Sequence, residues 1–598
     1  MPATEASTKL SRLKKYSRAL GCPDLILLGA EPDASQLEYL DLLPKPGAPL
    51  LPDAVAEFQG RPLLYLVDDV DEAGNSRLQP VQVRDLQTLL ANRSEHACLG
   101  VVRVGSLEVY PINIDRAAIE KANFRTIKIA DPDAPTFFQS LVTGTFDLEG
   151  RPRQADYVFE TIHKLLRAAS EALAGTDSSP GPMRGLDVLS TAGRALFFRF
   201  LMDRGIVTES ELADICPGAG GLRDCFSDAE KAAATSCWLD ETFNGDLLPL
   251  ISSLSMEANG KERLRAYQHF YRGAGAETQQ RLFGHLQAIL RGWEQVSDSQ
   301  FQMSFEVDWD DFNFAHIPIG VLSQVYETFS RQWDEEHSDV TSVYYTPRHI
   351  AKLLVDEAFA GLENAAEAVI LDPACGAGVF LVLAFRQLVR KYWEKNGSRP
   401  DTRAIQRILY KQLRGFEVSE SALRLSALAL YISAIEVNGT QRPPRSLKFP
   451  RPLRNEVLFN FGQHEKDKKP GFVLGSLGPN VPASFNGSFD IVVTNPPWTR
   501  LRSKAEDTKE KAEDKKRIGE MNEAFTALTR SALTARGLES IAKRYDNPDN
   551  NPDLPFLWRA TEWAKPNGVI AMALPGRIIL RQDGMGKRAR DAMMRGLA

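Results

Sequence analysis

Two short segments carry residue types that can do chemistry together. In Asp372-Pro373-Ala374-Cys375-Gly376-Ala377-Gly378 a carboxylate stands before a glycine-rich turn. The glycines let the backbone turn tightly and come close to a ligand, and the carboxylate suits a ligand with a cationic part. The third glycine of G-x-G-x-x-G is missing, so the segment departs from the dinucleotide fingerprint. A plain strand–helix turn, with Cys375 as a small packed thiol, accounts for the same residues. The second segment is Asp490-Ile-Val-Val-Thr-Asn495-Pro496-Pro497-Trp498. Its two prolines fix the backbone and remove two N–H donors, which leaves carbonyls for a substrate donor to meet. Asn495 offers a further carbonyl and Trp498 a flat face. An amino group on a planar ring fits that set; a rigid turn beside a core tryptophan is the plainer account.

The elements that must position these segments are legible around them. Ala368–Asp372, Leu413–Glu417, Phe489–Thr494 and Gly568–Leu574 read as buried strands. Val379–Lys391, Ser421–Ile435 and Leu554–Ala564 read as helices. Strands alternating with helices predict a mostly parallel sheet covered on both faces, whose ligands bind beyond the carboxyl ends of the strands. Residues 500–549 interrupt this pattern with a dense charged insert, read as a solvated helical excursion or as a mobile arm near the substrate. Further upstream, Arg61–Val67 is a β-type run and His96–Ile114 a second one broken at Gly105. Val158, Ile162, Leu165, Leu166 and Ala169 recur at helical spacing, Gly175–Gly185 has linker composition, and 186–300 reads as mainly helical around Ala195–Arg204.

Length and composition narrow the class. At 598 residues with 43% apolar and 25% charged residues, collagen, a disulfide mini-protein and a disordered chain are excluded. The net charge of −6 is no polycation, so nucleic-acid contact must come from local patches, of which Lys9–Arg18 and Arg577–Arg595 are the candidates. Six cysteines with no C-x-x-C pair give neither a disulfide framework nor a zinc module, so no metal site is expected. No secretory signal and no membrane-length apolar run is present; the cytoplasm is the expected compartment and no membrane an expected partner.

Taken together, the two motifs resemble those of S-adenosylmethionine-dependent N6-adenine DNA methyltransferases of restriction–modification and phage-defence systems. Two further segments agree, Tyr344–Lys352 and Ile317–Phe329. Their order is that of the gamma class, in which target recognition follows catalysis. The resemblance covers residues 300–598 well and reaches back only through Phe197–Gly205. It implies a Rossmann-like class I methyltransferase domain over 336–598, a mainly helical domain over 151–335 and a small α/β domain over 1–150. The implied catalytic residues are Asn495, Pro496, Pro497 and Trp498. The implied cofactor is S-adenosyl-L-methionine. Its methionine part would meet Tyr345, Thr346 and Pro347, and the turn from Asp372, Pro373 and Ala374 to Gly376 and Gly378. Its ribose would meet Glu417. The 45 residues from Asp372 to Glu417 exceed the usual crossover, and Lys395–Pro400 reads as the loop insertion responsible. One departure concerns the next strand end, placed in Phe472–Gly478, where the family's acidic residue is absent and Ser476 is the acceptor on offer.

The implied activity is methyl transfer to N6 of a flipped adenine in double-stranded DNA, with a specificity or nuclease subunit as a further partner class. A non-catalytic subunit or truncated remnant, and an enzyme acting on RNA or a protein amide, are the alternatives. The expected domain is incomplete after the fourth strand, where a basic segment, Lys587–Ala598, closes the sequence. Pro23-Asp24 and Pro52-Asp53 lack a following E-x-K within the first 150 residues, so no nuclease is assigned.

Overall fold

A computed structural model describes residues 3–29, 33–44, 49–71, 73–152, 157–176, 179–180, 186–244, 259–273, 276–291, 312–318, 346–439, 449–462, 472–498, 501, 508–581 and 583–597. Tyr345 and the segment 319–345 lie outside the described residues. Two compact units result, residues 1–241 with 249–326, and residues 242–248 with 327–598.

The first unit holds a six-stranded sheet of β1 (Ile26–Leu27), β2 (Ala54–Phe58), β3 (Arg61–Asp68), β4 (Cys98–Arg103), β5 (Ser106–Pro111) and β6 (Arg125–Lys128), neighbours in that order. Only β3 and β4 pair in parallel. Their crossover contains helix α2 (Pro80–Ala91), while α1 (Ala3–Ala19) contributes Leu13 and Tyr16 to a cluster with Leu64 and Leu66. Gly105, at φ 75°, turns β4 into β5 as the sequence predicts. Helices α3 (Tyr157–Ala174), α4 (Leu186–Asp203), α5 (Ala229–Thr242), α6 (Gly260–Arg272) and α7 (Ala276–Arg291) follow. The α4 run buries Phe197, Phe198, Phe200 and Leu201. Arg199 sits among them because its guanidinium donates to the Ile289 and Phe312 carbonyls. A buried charge is tolerated when its donors are met.

The second unit is built on five parallel strands: β7 (Ile370–Asp372), β8 (Leu413–Glu417), β9 (Leu458–Asn460), β10 (Phe489–Thr494) and β11 (Ala564–Met572). Their spatial order is β9-β8-β7-β10-β11. The chain builds outward from β7 in one direction, then returns to its other side, so the order reverses between β7 and β10. Crevices at such a reversal hold the ligands of α/β sheets. The inner strands bury nearly every residue because helices cover them. Around the sheet lie α8 (Arg348–Ala360), α9 (Val379–Asn396), α10 (Thr402–Gln412), α11 (Glu420–Val437), α12 (Thr508–Ala535), α13 (Asp553–Trp563) and α14 (Gly584–Gly596). Leu371, Phe416, Phe489, Val492 and Trp563 form one core cluster. At the opposite ends of the strands Asp490 clamps the sheet, accepting from the Val369 N–H at 2.8 Å and from Lys565 at 2.7 Å.

Three sequence expectations change. The long crossover between β7 and β8 holds a second helix, α10, not a loop insertion; Lys395–Pro400 is the last two residues of α9 and part of the short turn to α10. Asp401 caps α10 on the Ala404 N–H, and Ile405, Ile408 and Leu409 bury one face of it. The strand after β8 is Leu458–Asn460, so Ser476 sits in a 3-10 turn, not at a strand end. The charged insert is helical, yet not simply solvated: α12 buries Met521 and Phe525 against Phe472, Leu477 and Phe556. Among the described residues no helix is long and apolar enough to cross a membrane.

Candidate active site

Asp372 ends β7 and is 0% exposed. The turn after it needs glycine at two points. Gly376 has φ 51° and Gly378 has φ 88°, a left-handed conformation that other residues adopt only with strain. A Cβ on Gly378 would lie 2.9 Å from the Ser426 hydroxyl, so α9 begins pressed against α11. Ser426 also donates to the Gly376 carbonyl at 2.6 Å. The Glu417 carboxylate, at the end of β8, ties the turn from its other side. It accepts from the Gly376 N–H at 2.8 Å, the Val418 N–H at 2.8 Å and the Ser419 N–H at 3.0 Å. A carboxylate has about four acceptor places, so roughly one remains for a ligand hydroxyl. Ser476 closes the third side by donating to the Pro373 carbonyl at 2.7 Å, which leaves its own lone pairs free to accept.

The electrostatics single out Asp372. One oxygen accepts from the Ala374 N–H at 3.2 Å; the other is buried with no hydrogen-bond partner. Burial pushes its carboxyl up to about 7. The Thr494 hydroxyl stands beside the carboxylate and is the largest influence holding this back, although the pair falls outside hydrogen-bond geometry. Burial also pushes the Cys375 thiol well above its ordinary value, so it packs as an inert group.

Thr494 ends β10, and Asn495-Pro496-Pro497-Trp498 follow it. The Asn495 amide N–H donates to the Thr346 hydroxyl at 2.8 Å, while its Oδ1 is buried and unpartnered. Trp498 is half-buried, its indole N–H fixed on the Ala573 carbonyl at 3.0 Å. Arg577, ion-paired with the buried Asp553, donates to the Trp498 carbonyl at 3.3 Å. The structure therefore gathers Thr346, Asp372, Glu417, Ser476 and Asn495 around one end of the sheet, linked through Thr494 and the glycine turn. Pro347 begins α8 beside Thr346.

Sequence reading missed Thr494 and Ser426. Ser426 had one signal, a lone hydroxyl inside the apolar helical run Leu425–Leu430. It had also offered Arg577 and Lys9 as phosphate contacts. Arg577 instead braces Trp498, Lys9 pairs with Asp53 at 2.6 Å and Arg12 with Asp68 at 3.1 Å. In the first region Lys14, Lys15 and Arg18 stay exposed.

Residues 318–542 match the family model N-6 DNA Methylase, a span that includes both motifs and α12. The chain is 34% identical over 80 residues to the type I restriction enzyme MjaIX methylase subunit of Methanocaldococcus jannaschii, covering 13% of each chain. It is 23% identical over 155 residues to the adenine-specific methyltransferase PglX of Streptomyces coelicolor, covering 23% of this chain and 13% of that one. The matches thus span about an eighth of the length of these relatives. Among solved structures, a DrdV–DNA complex aligns over 99% of this chain and 49% of its own at 15% identity, with a TM-score of 0.39.

Proposed function

We propose that this chain, which carries an N-6 DNA methylase domain, methylates N6 of adenine in double-stranded DNA with S-adenosyl-L-methionine as donor. One observation carries the reading. Asp372 ends β7 and Asn495 directly follows the last residue of the neighbouring parallel strand β10, at the point of reversed order, and each keeps a buried oxygen with no hydrogen-bond partner among the described residues. Buried acceptors left unmet cost about 1–3 kcal/mol each, a cost that a ligand bringing N–H donors removes.

The residues present fit the cofactor. The glycine turn is a cradle that a Cβ at Gly378 would crowd, and Asp372 beside it has an unmet acceptor for an ammonium group. Glu417 has room for one ribose hydroxyl, and Ser476 can accept from an adenine amine. When bound, the cofactor supplies an electrophilic methyl on a sulfonium. The chain's own part is orientation. Asn495 Oδ1 accepts from the target N6–H and draws the nitrogen lone pair out of conjugation with the ring. The Pro496 carbonyl, which the proline ring at 497 holds in place, is the second acceptor. Holding the reacting groups within about 3–3.5 Å is worth roughly 7–11 kcal/mol of the barrier. The base must leave the duplex, at a cost of a few kcal/mol, and stacking on Trp498 returns about 1–3 kcal/mol. The indole is pinned in advance by Ala573, so little side-chain freedom is lost when the base arrives.

Partners on this reading are duplex DNA and a specificity or nuclease subunit, and the compartment is the cytoplasm. The test is nucleoside mass spectrometry of unmethylated DNA incubated with the chain and S-adenosylmethionine, with Asn495→Ala as control. N6-methyladenine is expected with the wild type and absent with the variant, whose cofactor affinity stays unchanged. Product undiminished in Asn495→Ala, or a methyl group on another base or on protein, would sink the assignment.

A further inference from the structure

Two residues that each precede a proline meet at the site. Thr346 is followed by Pro347 and Asn495 by Pro496. A residue before proline is driven out of the helical region into an extended backbone, so both positions are stiff before any ligand binds. Thr346 is 5% exposed, and its branched side chain has little torsional freedom. The hydrogen bond from Asn495 Nδ2 to Thr346 Oγ1, at 2.8 Å, therefore joins two fixed points.

An amide has two ends of opposite character, and the proposed reaction needs only one of them. The target amine is a donor, so it must meet Oδ1. The reverse orientation would turn N–H groups toward an amine that is itself a donor, and neither would be satisfied. The Thr346 hydroxyl can accept or donate, so it fixes the plane and place of the amide rather than choosing its end; in the arrangement described it accepts from Nδ2, and Oδ1 has no partner among the described residues. We propose that Thr346 is a positioning residue, whose hydroxyl accepts from Nδ2 and so pins the Asn495 side chain in place with Oδ1 turned to the substrate amine. This rests on the functional reading above. It differs from the role the family resemblance implies for the same segment, contact with the methionine part of the cofactor.

The two roles separate experimentally. Thr346→Val keeps the shape and removes the acceptor; Thr346→Ser keeps the acceptor and removes a methyl group. Losing one orienting hydrogen bond is expected to lower kcat about ten- to a hundredfold in the valine variant. The dissociation constant for S-adenosylmethionine, measured by calorimetry, should stay within about threefold, and serine should restore kcat to within about threefold. Unchanged kcat in Thr346→Val overturns the proposal. So does a loss of cofactor affinity as large as the loss of kcat, or a serine variant as impaired as valine. A second readout needs no turnover. In crystal structures of the full chain, the Asn495 side chain should hold one position in the wild type and rotate or split in Thr346→Val; an unmoved amide in the variant overturns the proposal. Turnover surviving in Asn495→Ala would defeat the functional reading instead, and the crystal comparison would still decide whether Thr346 orients the amide.

Discussion

Asp41 in the first unit and Asp372 in the second are both shut away from water, with 9% and 0% of exposed surface. Their charges fare in opposite ways. Burial raises both, but at Asp41 the Arg93 guanidinium and His316 outweigh it and hold the carboxyl well below the usual range. Arg93 is itself buried, pairs with Glu95 at 2.9 Å and stacks over Tyr39 at 5.0 Å. Among the described residues no cation acts on Asp372, and burial raises it to about 7. The lesson is one of completeness. A buried acid whose oxygens are all met is architecture, whereas one left with an unmet oxygen and no counter-ion awaits something the chain does not supply. Asp68 lies between the two: burial raises its carboxyl as at Asp372, but Arg12 at 3.1 Å supplies the counter-charge that Asp372 lacks, and Lys9 does the same for Asp53.

The comparison can be broken in order of effect. Arg93→Met should destabilise the first unit by about 3–5 kcal/mol, because Asp41 and Glu95 would be left as uncompensated buried charges. Chemical denaturation checks this, and a loss under 1 kcal/mol would mean the cluster is not architectural. Asp372→Asn should do the reverse. The folded acid titrates near 7 and the unfolded one near 4, so the native state binds the extra proton between those values and stability falls as pH rises through that window. Removing the carboxylate should therefore stabilise the chain at pH 8 by up to about 4 kcal/mol and leave it almost unchanged near pH 4. The same variant should lose S-adenosylmethionine binding. A lower melting temperature at pH 8 than the wild type would place Asp372 with Asp41. The smallest effect is expected from Lys9→Gln, whose partly exposed pair with Asp53 is worth about 0–1 kcal/mol. A larger loss, read by thermal melting, would show that Asp53 depends on that cation.

The chemistry of the site was local in sequence and so was legible there. Asp372 with its glycines, and Asn495 with its prolines and tryptophan, each lie within one turn, and backbone restrictions act over that range. The strand Phe489–Thr494 was placed to the residue because its β-branched stretch Ile491–Thr494 runs straight up to Asn495 and two prolines, which cannot continue a ladder. Strand Leu458–Asn460 escaped notice because three residues give no period to detect. Helix Thr402–Gln412 was hidden by the turn residues just before it, although its apolar spacing was there to be counted.

By itself the sequence determined the residue types at the two strand ends, the turn geometry after each, and the alternation that makes a parallel sheet. Only the tertiary structure decided what those ends meet. Strand order placed β10 beside β7, bringing Thr494 to Asp372. Packing set Thr346 against Asn495, 149 positions apart. The same folding spent Arg577, Lys9 and Arg12 on internal carboxylates and turned Met521 and Phe525 of a charged insert into the core. The reason is physical: backbone preference is fixed within a few residues, whereas solvation and counter-charge depend on neighbours that folding alone supplies.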